Sequence, residues 1–187
     1  MIEEDEALPE IYVLPGELHC VSRPTILRTL LGSCVGITFF APRLNVGALC
    51  HPMLPKCPPH TSGSGNPAAN YRYVDFAIRE VARILDTLGA KRSEVQVKIF
   101  GGGDVLSVAS DASRPTVGNM NCDVALRVLE EERFMVVASR LRGVSGVQIK
   151  FETGSGDVWL RELNSSRKLS QTERARADDL TSRRIVQ

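Results

Sequence analysis

No window of the 187-residue chain approaches 18 uninterrupted apolar positions, so a transmembrane helix and membrane insertion are not expected. Excess charge of one sign is also missing: 23 basic side chains face 22 acidic ones, for a formal net charge of +1. Such a balance offers no broad field for steering nucleic acid or an anionic membrane surface. A basic start followed by an apolar run is absent too. The opening Met1-Ile2-Glu3-Glu4-Asp5-Glu6 is acidic, so no secretory leader is expected and a cytoplasmic setting is. Cysteines are present but unpatterned: Cys20, Cys34, Cys50, Cys57 and Cys122 are odd in number and irregular in spacing. Without an export signal that argues against a disulfide framework and for reduced, mostly buried thiols. Histidine is scarce, with His19, His51 and His60 only.

The length suits one sizeable core and is short for two. Residues 1–9 read as a flexible acidic N-terminus, 10–163 as one domain, and 164–187 as a polar, basic tail expected to be disordered. Within the domain, Ile11-Tyr12-Val13-Leu14 reads as an edge strand ended by a Pro15-Gly16 turn, and residues 25–31 as a second strand. Cys34-Val35-Gly36-Ile37-Thr38-Phe39-Phe40 is β-branched and aromatic, hence a stronger strand. Beyond a turn at 42–45, residues 46–51 form its hairpin partner, with Gly32-Ser33-Cys34 at one end of the pair. Residues 55–70, broken by four prolines, read as a surface loop.

Val74, Ala77, Ile78, Val81, Ile84, Leu85 and Leu88 then recur at helical spacing, with Gly89 where a glycine stop belongs. Val95, Val97 and Ile99 alternate as a half-buried strand. A second amphipathic helix is expected over roughly 122–132, a short strand over 134–138, and a terminal hairpin about the Thr153-Gly154-Ser155-Gly156 turn. Strands before, between and after two helices predict a mixed α/β class built in layers.

Two residues stand out chemically. Cys34 follows a Gly-Ser turn at the start of a strand, where tight backbone can push a thiol into a cleft and aim its own N–H at an oxyanion. The alternative is a buried structural cysteine opening a strand. His51 ends the neighbouring strand before a proline-punctuated loop, and antiparallel pairing brings it to the same edge as Cys34. Its alternative is a hydrogen-bonded strand-end histidine. A zinc site from Cys50, His51, Cys57 and His60 is poorly spaced, since adjacent strand residues point to opposite faces. Phe100-Gly101-Gly102-Gly103-Asp104 lacks a phosphate-binding pattern and reads as a tight turn that admits another backbone.

Taken in order, several segments carry a resemblance: Leu31-Gly32-Ser33-Cys34-Val35, the run from Gly47 through His51-Pro52-Met53-Leu54-Pro55, Tyr73-Val74-Asp75, Lys98-Ile99-Phe100-Gly101-Gly102-Gly103, Val117-Gly118-Asn119-Met120-Asn121 and Glu152-Thr153-Gly154-Ser155-Gly156. From about residue 9 to 163 the chain resembles the CheD family of chemoreceptor glutamine deamidases. The resemblance implies a layered sandwich of β-sheets flanked by two main helices. It also implies a hydrolase that converts receptor glutamine to glutamate and releases ammonia, with no metal and no organic cofactor. It carries a catalytic cysteine over to Cys34 and a histidine to His51. A threonine goes to Thr29, five residues before Cys34, where some relatives place it six before, at the position Arg28 holds here. Gly32 and Ser33 would support the oxyanion turn. Implied partners are methyl-accepting chemotaxis receptors as substrate and a CheC-type phosphatase. The alternative function is a non-catalytic CheD-like adaptor that binds receptors and that phosphatase. A related cysteine chemistry, peptide cleavage or transglutamination, shares the first half-reaction.

Overall fold

The structure, a computed structural model, describes residues 7–59, 67–104 and 115–163. The expected tail at 164–187, His60 and most of the acidic N-terminus lie outside the described residues. Nine strands form two sheets. They are β1 (Glu10–Tyr12), β2 (Leu18–Val21), β3 (Ile26–Leu31), β4 (Val35–Ala41), β5 (Val46–Cys50), β6 (Gln96–Gly101), β7 (Met135–Leu141), β8 (Val147–Glu152) and β9 (Val158–Glu162). One sheet runs β1-β3-β8-β9 and the other β2-β5-β4-β6-β7. Two helices, α1 (Val74–Thr87) and α2 (Val117–Glu131), pack on the five-stranded sheet. Among the described residues no helix is long and apolar enough to cross a membrane.

Strand alternation builds the layers. On β4, Val35, Ile37, Phe39 and Ala41 join the apolar cluster shared with α1 and α2, while Phe40 belongs to a second cluster between the sheets. On β5, Val46, Ala48 and Cys50 face the helices and Leu49 faces the other sheet. Every residue of β4 and β5 is therefore buried, as a middle layer with two covered faces demands. The mixed α/β layering expected from element order is thus the observed one.

Helix ends follow local chemistry. After α1, Gly89 takes φ +76°, with its N–H donating to Asp86 O and Ala90 N–H to Leu85 O, both at 2.9 Å. That is the hydrogen-bond pattern by which a left-handed residue closes a helix. Helix α2 begins five residues before the expected start. Val117, Gly118 and Asn119 are weak helix formers, but the Thr116 hydroxyl accepts from Asn119 N–H at 3.3 Å and caps them. Strand β2 was not expected: its four half-buried residues lack alternation, and it exists through antiparallel pairing with β5.

Candidate active site

Strand β3 ends in one sheet and β4 begins in the other, so the Gly32-Ser33-Cys34 turn is where the chain crosses between layers. Its three consecutive carbonyls are all held. Gly32 O accepts from Gly103 N–H at 2.8 Å, Ser33 O from Asn121 Nδ2 at 2.9 Å, and Cys34 O from Gly102 N–H at 2.7 Å. The glycine run after β6 is thus a turn that admits another backbone, as its composition suggested. Gly102 sits at φ +65°, and a Cβ there would collide with Cys122 Sγ. At Gly101 a Cβ would collide with the Cys34 carbonyl. Cys34 itself is half-buried and packs against the inter-sheet cluster. Burial raises its thiol above the ordinary value, and its own backbone N–H pulls partly the other way.

His51 directly follows β5, and its backbone is tied at both ends. Its N–H donates to Glu17 O at 2.9 Å, and its carbonyl accepts from Gly16 N–H at 2.7 Å. The ring lies between the sheets at 1% exposure. Nδ1 is 2.8 Å from Thr29 Oγ1, and that hydroxyl donates its single proton to Val13 O at 2.7 Å. Thr29 can then only accept, so Nδ1 carries the ring proton and Nε2 carries the lone pair. Nε2 is buried with no hydrogen-bond partner. Burial pushes the imidazole down to about 4, against weaker upward pulls from the Val13 carbonyl and the Glu17 charge.

Thr29 faces inward, fully buried, because β3 alternates toward the second sheet. Arg28 points the other way, against Glu10 at 2.7 Å and over the Tyr12 ring. Of the two threonine-slot positions, Thr29 alone reaches the histidine.

Cys34 and His51 lie on the same face of the β4–β5 pair. The register pairs Ile37 with Cys50, and Val35 N–H continues the ladder to Pro52 O at 3.3 Å. His51 therefore faces Gly36, with Cys34 one step along the diagonal. Diagonal neighbours stand roughly 7–8 Å apart, within reach of a long side chain. Of the zinc candidates, Cys50 and His51 do not converge. Cys50 Sγ contacts Ile37 O at 3.8 Å on the helix side, whereas His51 turns the opposite way. Among the described residues no group of three or more histidine, cysteine or acidic side chains is arranged to hold a metal.

One further side chain at this turn carries no chemical signal in the sequence. Asn121, fully buried on α2, donates from Nδ2 to Ser33 O and to Met53 O, each at 2.9 Å. Only tertiary placement distinguishes it from the polar Asn119 two residues before.

Comparison with known proteins is consistent across most of the length. The family model described as "CheD chemotactic sensory transduction" matches residues 53–162, beginning two residues after His51. The chain is 38% identical to a "Probable chemoreceptor glutamine deamidase CheD 2" of Geobacter sulfurreducens, over 84% of this chain and 92% of that one. It is 34% identical to a "Probable chemoreceptor glutamine deamidase CheD" of Maridesulfovibrio salexigens, over 87% and 97% respectively. A Pseudomonas savastanoi relative of the same description shares 38% identity over 81% of this chain and 84% of its own. Over more than half its length by family model, and through relatives covered almost end to end, the chain belongs to the CheD family.

Proposed function

We propose that this protein is a cytoplasmic protein-glutamine deamidase acting on chemotaxis receptors, with Cys34 as nucleophile, His51 as base and Thr29 as the group that orients His51. The observation that carries the reading is the Thr29–His51 hydrogen bond at 2.8 Å, which leaves a buried, unpartnered Nε2 on the face shared with Cys34.

The chemistry runs through neutral partners. With the thiol shifted up and the imidazole shifted down by burial, the resting pair is thiol and imidazole, not thiolate and imidazolium. Nε2 takes the Sγ proton as sulfur attacks the side-chain amide carbon of glutamine. The imidazolium that forms donates Nδ1–H to Thr29 Oγ1 and gains from the Glu17 charge. The Cys34 backbone N–H, on a turn whose carbonyls at Gly32 and Ser33 are pinned, holds the developing oxyanion. Imidazolium then protonates the leaving amine, and ammonia departs. Water gives a proton to Nε2 and attacks the thioester, releasing glutamate and restoring the thiol. The balance is amide plus water to carboxylate and ammonium.

The test is ammonia release from receptor fragments, with a mass gain of about one dalton at glutamine as amide becomes acid. Full activity in Cys34→Ala would overturn the reading. A second reading is favoured by the missing hydrogen bond between Cys34 and the unpartnered His51 Nε2: a CheD-like adaptor that binds receptors and a CheC-type phosphatase without turnover. A folded protein that binds receptor fragments but releases no ammonia would select it.

A further inference from the structure

The mechanism above uses one face of the β4–β5 pair. The opposite face, toward α2, holds Asn121, which that mechanism leaves out. Its Nδ2 donates to Ser33 O and Met53 O. These carbonyls belong to the residue before Cys34 and the second residue after His51. Extending the Ile37–Cys50 register past the Val35 to Pro52 bond makes Cys34 and Met53 the next facing pair. Asn121 closes the hairpin mouth at this pair, beyond the last backbone ladder bond.

The amide orientation is determined. Exchanging its oxygen and nitrogen would set an acceptor against two carbonyl oxygens at 2.9 Å. Spending both hydrogens on the clamp leaves Oδ1 buried without a partner, which is unfavourable in a dry interior. Three buried side-chain atoms lack a hydrogen-bond partner among the described residues. One, Arg28 Nε, lies 2.7 Å from Glu10 Oε1 and so has an ion-pair partner. The other two are Asn121 Oδ1 and His51 Nε2, one on each side of this hairpin mouth.

We infer that Asn121 is a positioning residue for the cysteine–histidine pair, holding the Cys34 turn and the chain leaving His51 at one spacing so that Sγ meets Nε2 in one geometry. The inference rests on the deamidase reading. Asn121 acts through the backbone of the two segments that carry the reacting groups, by its bonds to Ser33 O and Met53 O.

The experiment compares full-length Asn121→Ala with Val128→Ala, which trims a buried apolar side chain elsewhere on the same helix. Readouts are kcat and KM for ammonia release from a receptor fragment, the pH profile of Cys34 alkylation by iodoacetamide, and the thermal midpoint. Asn121→Ala is expected to lower kcat on the order of 10–100-fold with KM nearly unchanged, as misplacement of reacting groups does. Its alkylation profile is expected to move to that of His51→Ala. Val128→Ala is expected to lower the midpoint while leaving kcat and the profile within roughly twofold. If Asn121→Ala matches Val128→Ala in kcat and profile, the inference is overturned. Should Asn121→Ala lack a cooperative melt, Asn121→Ser is read by the same criteria. An active Cys34→Ala would sink the underlying mechanism, whereas an inactive Cys34→Ala beside a normal Asn121→Ala sinks only this inference.

Discussion

Thr29 Oγ1 stands 2.8 Å from His51 Nδ1 while giving its own proton to Val13 O at 2.7 Å. This chain of two bonds fixes which ring nitrogen is basic. In Thr29→Val the shape is kept but the acceptor is gone, and Nδ1 is left with Val13 O at 3.5 Å. The expected result is a fall in kcat on the order of 100-fold, because the ring is free to turn. Thr29→Ser, which keeps the hydroxyl, should recover most of it. Ammonia-release kinetics measure both, and a Thr29→Val rate within twofold of the parent would remove threonine from the mechanism.

The burial of His51 makes a stability prediction whose sign is set by its downward shift to about 4. An unfolded-chain histidine titrates near 6.5. Above that pH both states are neutral and the group contributes no pH dependence. As pH falls from about 6.5 to about 4 the unfolded state takes up a proton that the folded state refuses, so stability drops. The drop from this one residue is about 3 kcal/mol over that window, and it levels off below the folded value. His51→Gln should flatten the loss. Urea midpoints at several pH values for parent and variant give the difference, in which the titrating carboxylates common to both largely cancel. Equal slopes would mean that the ring titrates as if exposed.

Most of this arrangement was legible in the residues, for identifiable reasons. Strands β4 and β5 declare themselves through dense β-branched and aromatic content, and antiparallel pairing of two such neighbours puts Cys34 and His51 on one edge. The glycine run at 101–103 was legible as a place of close backbone approach. Three features were not. Strand β2 has no pattern of its own and is held by β5. The first turns of α2 contradict helix propensity and depend on the Thr116 cap and on Gly118, where a Cβ would meet Gly102 O at 2.7 Å. Asn121 is one polar residue among several at that helix start. Its importance lies in two carbonyls 88 and 68 positions earlier in the chain.

Gly102 connects the glycine turn to the nucleophile, and its substitution should be felt in two ways. Gly102→Ala places a methyl group on Cys122 Sγ at a left-handed backbone position. A cost of roughly 1–3 kcal/mol is expected from strain and overpacking. Because Gly102 N–H holds Cys34 O at 2.7 Å, the relaxation also shifts the turn, and activity should fall further than stability at assay temperature explains. Chemical denaturation and kcat measured together decide it. Gly89→Ala is the control: it is also left-handed, but it has open space around it and lies at the end of α1. It should cost stability alone.

The cysteines offer the sharpest contrast, since Cys34 and Cys50 lie on opposite faces of paired strands. Cys50 is fully buried, its Sγ rests near Ile37 O, and burial pushes its thiol up to about 12. Cys34 is half-buried at a turn, with a smaller upward shift. Brief iodoacetamide treatment of the folded protein at pH 8, read residue by residue by mass spectrometry, should modify Cys34 and leave Cys50 unmodified, because only an accessible thiolate reacts. Cys50→Ala should lose about 1 kcal/mol from a small cavity and keep its activity. Cys34→Ala should melt as the parent does and release no measurable ammonia. Were Cys50→Ala the inactive variant and Cys34→Ala the active one, the nucleophile would belong on the helix side of the sheet, away from His51 Nε2.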